Sequence, residues 1–240
     1  MAVEAGAKVG LIASDKTTQK FLQKMGRGNK YREIRPDSSA VYERVIEIDV
    51  SKLEPQISFP HSVDNTRSLS QAKGTRIHQV FLGTCTNGRL EDLEVFYNII
   101  KGRKRHPGTR VIINPASRTI YLQTAERGYL QEFVRFGAEV LMPGCGPCVG
   151  VHGGIPSDGE NILSTMNRNF KGRMGNPESF IYLASPAVCA ATAIKGEIAD
   201  PREVLHKPKS HAKRKAKFAS MKVLKSKAKS RTKTAKKKRR

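Results

Sequence analysis

Three cysteines and two arginines in this sequence have the types and spacing that chemistry requires. Cys85 lies in Phe81-Leu-Gly-Thr-Cys-Thr-Asn-Gly88, and Cys145 and Cys148 lie in Pro143-Gly-Cys-Gly-Pro-Cys-Val-Gly150. Arg168 and Arg173 follow in Met166-Asn-Arg-Asn-Phe-Lys-Gly-Arg-Met-Gly175. Thiolates hold soft metals or iron–sulfur clusters. Guanidinium groups bind carboxylates through two parallel N–H bonds. Metal ligands followed by carboxylate clamps suggest an enzyme acting on an organic acid. The CxxC pair by itself fits a zinc half-site or a redox pair equally well. Cys85 adds a third ligand, and Cys189 would complete a four-cysteine zinc site. Cys189, however, lies in Ala187-Val-Cys-Ala-Ala-Thr-Ala, a helical run of small residues in which a cysteine reads as buried filler. Three ligands without a fourth leave one metal position open to substrate or water, as Lewis-acid catalysis needs.

These residues need elements to position them. Ile77 to Leu82 is an apolar run suited to a buried strand, and Arg89 to Lys101 is an amphipathic helix, so Cys85 falls at a strand-to-helix turn. Arg110 to Asn114 is a second strand. Ser117 to Gly128 and Tyr129 to Phe136 are helical, with Gly128 and Gly137 as stops. Glu139 to Met142 is a third strand running straight into Cys145. Ile162 to Thr165 is a further strand leading into the Asn167 and Arg168 segment, and Ser185-Pro186 opens a last helix. Both cysteine loops thus follow strands, where open α/β sheets bind ligands. The alternation predicts a layered, Rossmann-like α/β domain over 76–205.

Upstream, Ser14-Asp15 caps a helix over Lys16 to Met25, and Val45 to Val50 alternates as a strand does. Residues 1–53 are read as part of a second α/β domain, and 54–75 as a linker rich in Pro, Ser and Asn. MAVEAGAKVGLIA, at residues 1–13, is small and apolar like the inside of a domain, which suggests truncation or a missing partner.

The net charge of +23 is unevenly spread: residues 206–240 hold 17 Lys/Arg and no Asp or Glu, leaving 27 basic and 21 acidic residues in 1–205. The body therefore has an ordinary surface, and the tail is read as a disordered polyelectrolyte able to bind RNA or another polyanion. Four cysteines in 240 residues are not a secreted disulfide framework. No signal peptide or membrane-length apolar run is evident, so a reducing, cytoplasmic setting is expected.

GTCTNGRLEDL, GCGPCVG, STMNRNFKGRMG and YLASPAVCAATAIKGEI together resemble the aconitase superfamily, in the family's order and at its spacings over roughly residues 1–205. Within it the similarity is to the C-terminal half of the large subunits of 3-isopropylmalate dehydratase and homoaconitase. The resemblance implies an aconitase-type fold and a 4Fe-4S cluster held by Cys85, Cys145 and Cys148. The fourth iron would be left to substrate or water for dehydration and rehydration of a 2-hydroxy-acid di- or tricarboxylate, in leucine biosynthesis or a related route. It implies that Asn167 lies beside the cluster, that Arg168 and Arg173 meet substrate carboxylates, and that Glu4 lies near the open iron. Glu4 and Asn167 are the catalytic candidates. His78 and His152 are assigned no role.

The sequence departs from that pattern in two ways. The family's N-terminal half, with further site residues, and its swivelling domain, a small subunit that supplies a serine base, have no counterpart in residues 1–240. The chain is therefore expected to need a small subunit and a separate N-terminal half, and to be nearly inactive by itself. The basic tail is foreign to the family. A competing reading makes the chain a non-catalytic scaffold whose tail binds RNA. It would show salt-sensitive RNA binding that is lost with 206–240 and indifferent to Cys145→Ser.

Overall fold

Burial begins at Ile57. A computed structural model describes residues 2–3 and 5–205, so Glu4 and the basic tail lie outside the described residues. Between residues 5 and 53 no side chain is buried. Helix α1 (Lys16–Lys24) forms as the sequence predicts. The Asp15 carboxylate accepts from the Thr18 N–H at 2.9 Å, which satisfies one of the orphan donors of the first turn. The predicted strand at Val45 to Val50 does not form, and Ile46 and Ile48 are 68% and 74% exposed. A strand needs a neighbour for its backbone groups and a layer for its apolar face. Among the described residues nothing supplies either. Leu11 and Ile12 in the apolar opening are likewise exposed.

The stretch 54–75, read from sequence as a linker, is part of the sheet. Strand β1 (Gln56–Ser58) pairs antiparallel with β2 (Thr66–Ser68), with Ile57 opposite Arg67, and α2 (Leu69–Ala72) follows. Ile57, Leu69 and Ala72 are core residues. Three-residue strands are too short to leave a periodic signal, and the edge strand β2 tolerates the polar residues that suggested a loop.

The remainder alternates as expected. The strands are β3 (Gln79–Gly83), β4 (Arg110–Asn114), β5 (Glu139–Val140), β6 (Asn161–Ser164) and β7 (Phe180–Leu183). Helix α3 (Leu90–Ile100) joins β3 to β4, while α4 (Arg118–Glu126) and α5 (Tyr129–Phe136) join β4 to β5. Helices α6 (Pro186–Lys195) and α7 (Pro201–Leu205) follow β7. Neither β7 nor α7 was predicted. The sheet order is β2-β1-β7-β6-β3-β4-β5, with β7 through β5 parallel and β1 antiparallel to β7 through Ser58 and Leu183.

The strand period of two divides the core. Val80, Leu82, Val111, Ile113 and Leu163 pack with α3, α5 and α6 on one face. Phe81, Ile112, Ile162 and Ile181 face the other way, where Cys148, Met166 and Met174 cover them. Helices thus close one face and the motif-bearing loops close the other. From β3 the chain winds outward to β5, then returns to β6 and β7 on the opposite side. The carboxyl ends of β3 and β6 therefore flank a topological switch point, the place where open α/β sheets bind ligands.

Candidate active site

The Cys85 loop leaves β3 at Gly83, whose φ of +139° admits only glycine readily. A Cβ there would lie 2.1 Å from the Asn114 carbonyl oxygen. Thr84 follows at φ +100°, a conformation that costs a β-branched residue about 1–3 kcal/mol. The surroundings hold it there. Thr84 N–H donates to the Asn114 carbonyl at 3.3 Å, the Thr84 carbonyl accepts from Gly88 N–H at 2.9 Å, and its hydroxyl meets that of Thr86 at 3.0 Å. The turn leaves Cys85 exposed in front of α3. From the β6 side, buried Thr165 ties the loop down. Its hydroxyl accepts from Gly83 N–H at 2.9 Å, and its carbonyl accepts from the Asn87 side chain at 2.5 Å.

The second cysteine loop is tied to the first through Asn114. The Asn114 amide donates to the Gly144 carbonyl at 2.7 Å, one residue before Cys145. A single 3-10 turn (Gly146–Val149) then carries Cys148 inward, with proline in its first turn, and Gly150 closes it at φ +71°. Gly150 also allows contact with the arginine segment, since a Cβ on it would sit 2.2 Å from the Gly175 nitrogen. That approach brings Arg173 to Cys148, and Nη2 donates to Sγ at 3.3 Å. The Arg173 Nε is buried without a hydrogen-bond partner, and the guanidinium carbon lies 5.4 Å from the centre of the Phe170 ring.

All four cysteines are free thiols; Cys85 and Cys145 are exposed, while Cys148 and Cys189 are buried. Cys189 is fully enclosed in α6, and burial pushes its thiol far above the ordinary range, as fits packing and not ligation. A four-cysteine zinc site that includes Cys189 is therefore not what the fold assembles. Among the described residues no three His, Cys, Asp or Glu side chains converge tightly enough for a single metal ion.

Asn167 and Arg168 line adjoining clefts. The first, of about 420 Å³, is lined by Asn87, Asn167, Ser58, Ser185 and Ala5, the residue next to Glu4. The second, of about 330 Å³, is lined by Arg168, His61, Asp64 and Asn169, and Val63 and Asp64 border both. The structure thus groups Asn167 with Asn87, Arg168 with Asp64, and Arg173 with Cys148. Glu4 falls outside the described residues. His78 accepts the Asn161 backbone N–H at 3.0 Å, a structural contact, and His152 packs against Gly146. The sequence reading missed Asn114, Thr165, His61 and Asn169. Asn169 donates to the Phe59 and Ile181 carbonyls at 2.8 and 3.2 Å and so anchors the arginine segment. Only its place between Arg168 and Arg173 hinted at this.

The donor set is chemically of the kind that soft metals take, thiols on loops held to one another. Three unpaired thiols lie on two loops at the same end of a parallel sheet, two of them open to an incoming group, and Asn114 links the loops.

Comparison with known proteins identifies relatives of the chain. A family model described as the aconitase family (aconitate hydratase) matches residues 1–76 and 69–196. The 3-isopropylmalate dehydratase large subunit 2 of Archaeoglobus fulgidus is 57% identical over 205 residues, which cover 85% of this chain and 49% of that protein. Large subunit 1 of Thermotoga maritima is 56% identical over 207 residues (85% and 50%), and the large subunit of Elusimicrobium minutum is 56% identical over 205 (85% and 49%). The chain spans about half the length of these curated relatives.

Proposed function

Since the chain belongs to the aconitase family, we propose that it provides the cluster-bearing half of a hydro-lyase active site. The observation that carries this reading is the linkage of Thr84, Asn114 and Gly144, which ties the Cys85 loop to the Cys145 loop in a chain of that family. Cys85, Cys145 and Cys148 would hold a 4Fe-4S cluster. When bound, the group supplies a Lewis-acidic iron that polarises the hydroxyl lost or gained by a 2-hydroxy-acid di- or tricarboxylate. The relatives are named as dehydratases of 3-isopropylmalate, and that substrate class is the one proposed here.

The chain's own residues would bind and orient. Arg168 and Arg173 would meet carboxylates, and Arg168 lines the second cleft. Asn167, in the cleft beside Asn87, contributes an amide that fixes the substrate or the cluster edge; Glu4, on the family resemblance alone, is the other catalytic candidate. Residues 54–205 would make up the aconitase-like sheet domain, and 1–53 are read as part of a second α/β domain. The relatives are large subunits, so a small subunit is the proposed partner, together with the other half of the large subunit. Among the described residues no helix is long and apolar enough to cross a membrane.

Anaerobic loading with iron and sulfide tests the reading. The chain should take up about four irons and four sulfides with a broad visible band, and Cys85→Ser should lose most of both. A folded chain that takes up none would sink it. Addition of a small subunit and the complementing half should then give hydration of an unsaturated diacid. The 17 Lys/Arg of residues 206–240 favour a second, independent reading, polyanion binding through the tail. It requires RNA affinity that falls steeply with salt and vanishes when 206–240 is deleted.

A further inference from the structure

Strand β6 ends at Ser164, opposite Phe81, while β3 runs on to Gly83. Thr165 follows, and its backbone N–H stays on the ladder, donating to the Phe81 carbonyl at 3.1 Å. Beyond that point a side chain takes over from backbone. The Thr165 hydroxyl accepts from Gly83 N–H at 2.9 Å and donates to the Gly83 carbonyl at 3.1 Å. One hydroxyl thus serves both backbone groups of Gly83 where a strand residue would otherwise pair, at a position only 2% exposed. The Thr165 carbonyl accepts from the Asn87 side chain at 2.5 Å. The loop that carries Cys85 is therefore held by Thr165 both at residue 83 and at residue 87. On the other side of Thr165, Met166 N–H donates to the hydroxyl of buried Ser164 at 3.0 Å, which fixes the turn out of β6. Met166 and Asn167 then line the first cleft together with Asn87.

We infer that Thr165 is a positioning residue that holds the Cys85 loop in register with the Asn167 cleft, so that whatever orders one orders the other. The inference rests on the cluster reading above for the event that orders the loop, metal uptake at Cys85. Its physical basis is the cost of leaving buried backbone groups unpaired. Valine has the shape of threonine and neither hydrogen bond, so it strands the N–H and carbonyl of Gly83. Serine keeps the hydroxyl and gives up only a methyl. A packing role would rank the two variants in the opposite order.

Amide hydrogen exchange of the full chain, before and after anaerobic loading with iron and sulfide, tests this in wild type, Thr165→Val and Thr165→Ser. Iron loss to a chelator is timed alongside. In wild type, loading should slow exchange at 83–88 and at 166–170 together. In Thr165→Val, 83–88 should exchange faster before loading, 166–170 should gain no protection on loading, and iron should leave about tenfold faster. Thr165→Ser should behave as wild type. Asn87→Ala breaks the other end of the tie at a half-buried position and should release 166–170 in the same way, which decides the matter if Thr165→Val does not fold. Wild-type exchange and iron loss in a folded Thr165→Val would overturn the inference. So would faster exchange spread evenly over the sheet domain, α5 included, since that reports lost stability alone. Protection of 166–170 on loading of Thr165→Val would overturn the coupling, and equal damage from Thr165→Ser would assign the effect to the methyl group. No iron uptake by wild type would remove the cluster reading and leave the Thr165 tie to the unloaded chains. There 83–88 and 166–170 should both exchange faster in Thr165→Val, and no difference would overturn it.

Discussion

Asn114 and Gly144 are joined by a 2.7 Å hydrogen bond that spans the two cysteine loops. The Asn114 backbone carbonyl meanwhile accepts from Thr84 N–H at 3.3 Å. One residue at the end of β4 therefore sets the spacing between Cys85 on one side and Cys145 on the other. Asn114→Ala should leave the Gly144 carbonyl without its donor and cost about 1–3 kcal/mol. Guanidinium unfolding would read that loss. Iron uptake should fall even where the chain remains folded, and uptake equal to wild type would show that the loops hold their spacing without the amide.

Gly150→Ala should be among the most damaging single-methyl changes. The added Cβ would lie 2.2 Å from a backbone nitrogen of the facing loop, at a φ of +71° that alanine resists. Backbone cannot rotate away as a side chain can, so the loops must separate. A cost of about 2–4 kcal/mol is expected from overpacking with a strained φ. The thermal midpoint checks it, and a shift within measurement error would contradict the close approach.

The four thiols should divide by reactivity. Native alkylation should label Cys85 and Cys145 quickly and spare Cys189, which α6 encloses and burial keeps protonated. Mass spectrometry of timed samples gives the order. Cys189→Ala should leave iron uptake unchanged, whereas Cys145→Ser should reduce it severely. Loss of iron in Cys189→Ala would return that cysteine to the ligand set.

Glu160 gives the sheet domain an acid-sensitive contact. Burial raises its carboxyl pKa, but the Ser157 backbone N–H and the hydrogen bond and charge of Arg110 outweigh it, so the net shift is downward. A depressed folded value means stability that is fully present above the ordinary glutamate value of 4.5 and lost as pH falls through the lower folded value. Glu160→Gln should therefore be less stable than wild type near neutrality, with the gap closing as pH falls below the ordinary value of 4.5. Urea midpoints across that range would show it. A gap independent of pH would mean that the carboxylate charge contributes nothing.

The strands β3 and β4, the helices between β3 and β5, and α6 were legible in the sequence because each buries residues at its own period and carries its own stop or cap. Ser117 caps α4, accepting from Ile120 N–H at 3.3 Å, and Gly137 ends α5 in the left-handed conformation. The cysteines and arginines were legible as types at a spacing. What the sequence could not give was pairing. Residues 54–75 belong to the sheet because β1 meets β7 more than a hundred residues later, a contact with no local signature. Val45 to Val50 has the alternation of a strand and forms none, because alternation states a preference that only a neighbouring strand satisfies. Asn114 reads as the last residue of a strand and acts as the tie between two loops. The sequence by itself determined which groups are available and roughly where strands end. The tertiary structure decided which groups meet, because hydrogen bonds between loops depend on strand order and register, properties of the whole sheet and not of any one segment.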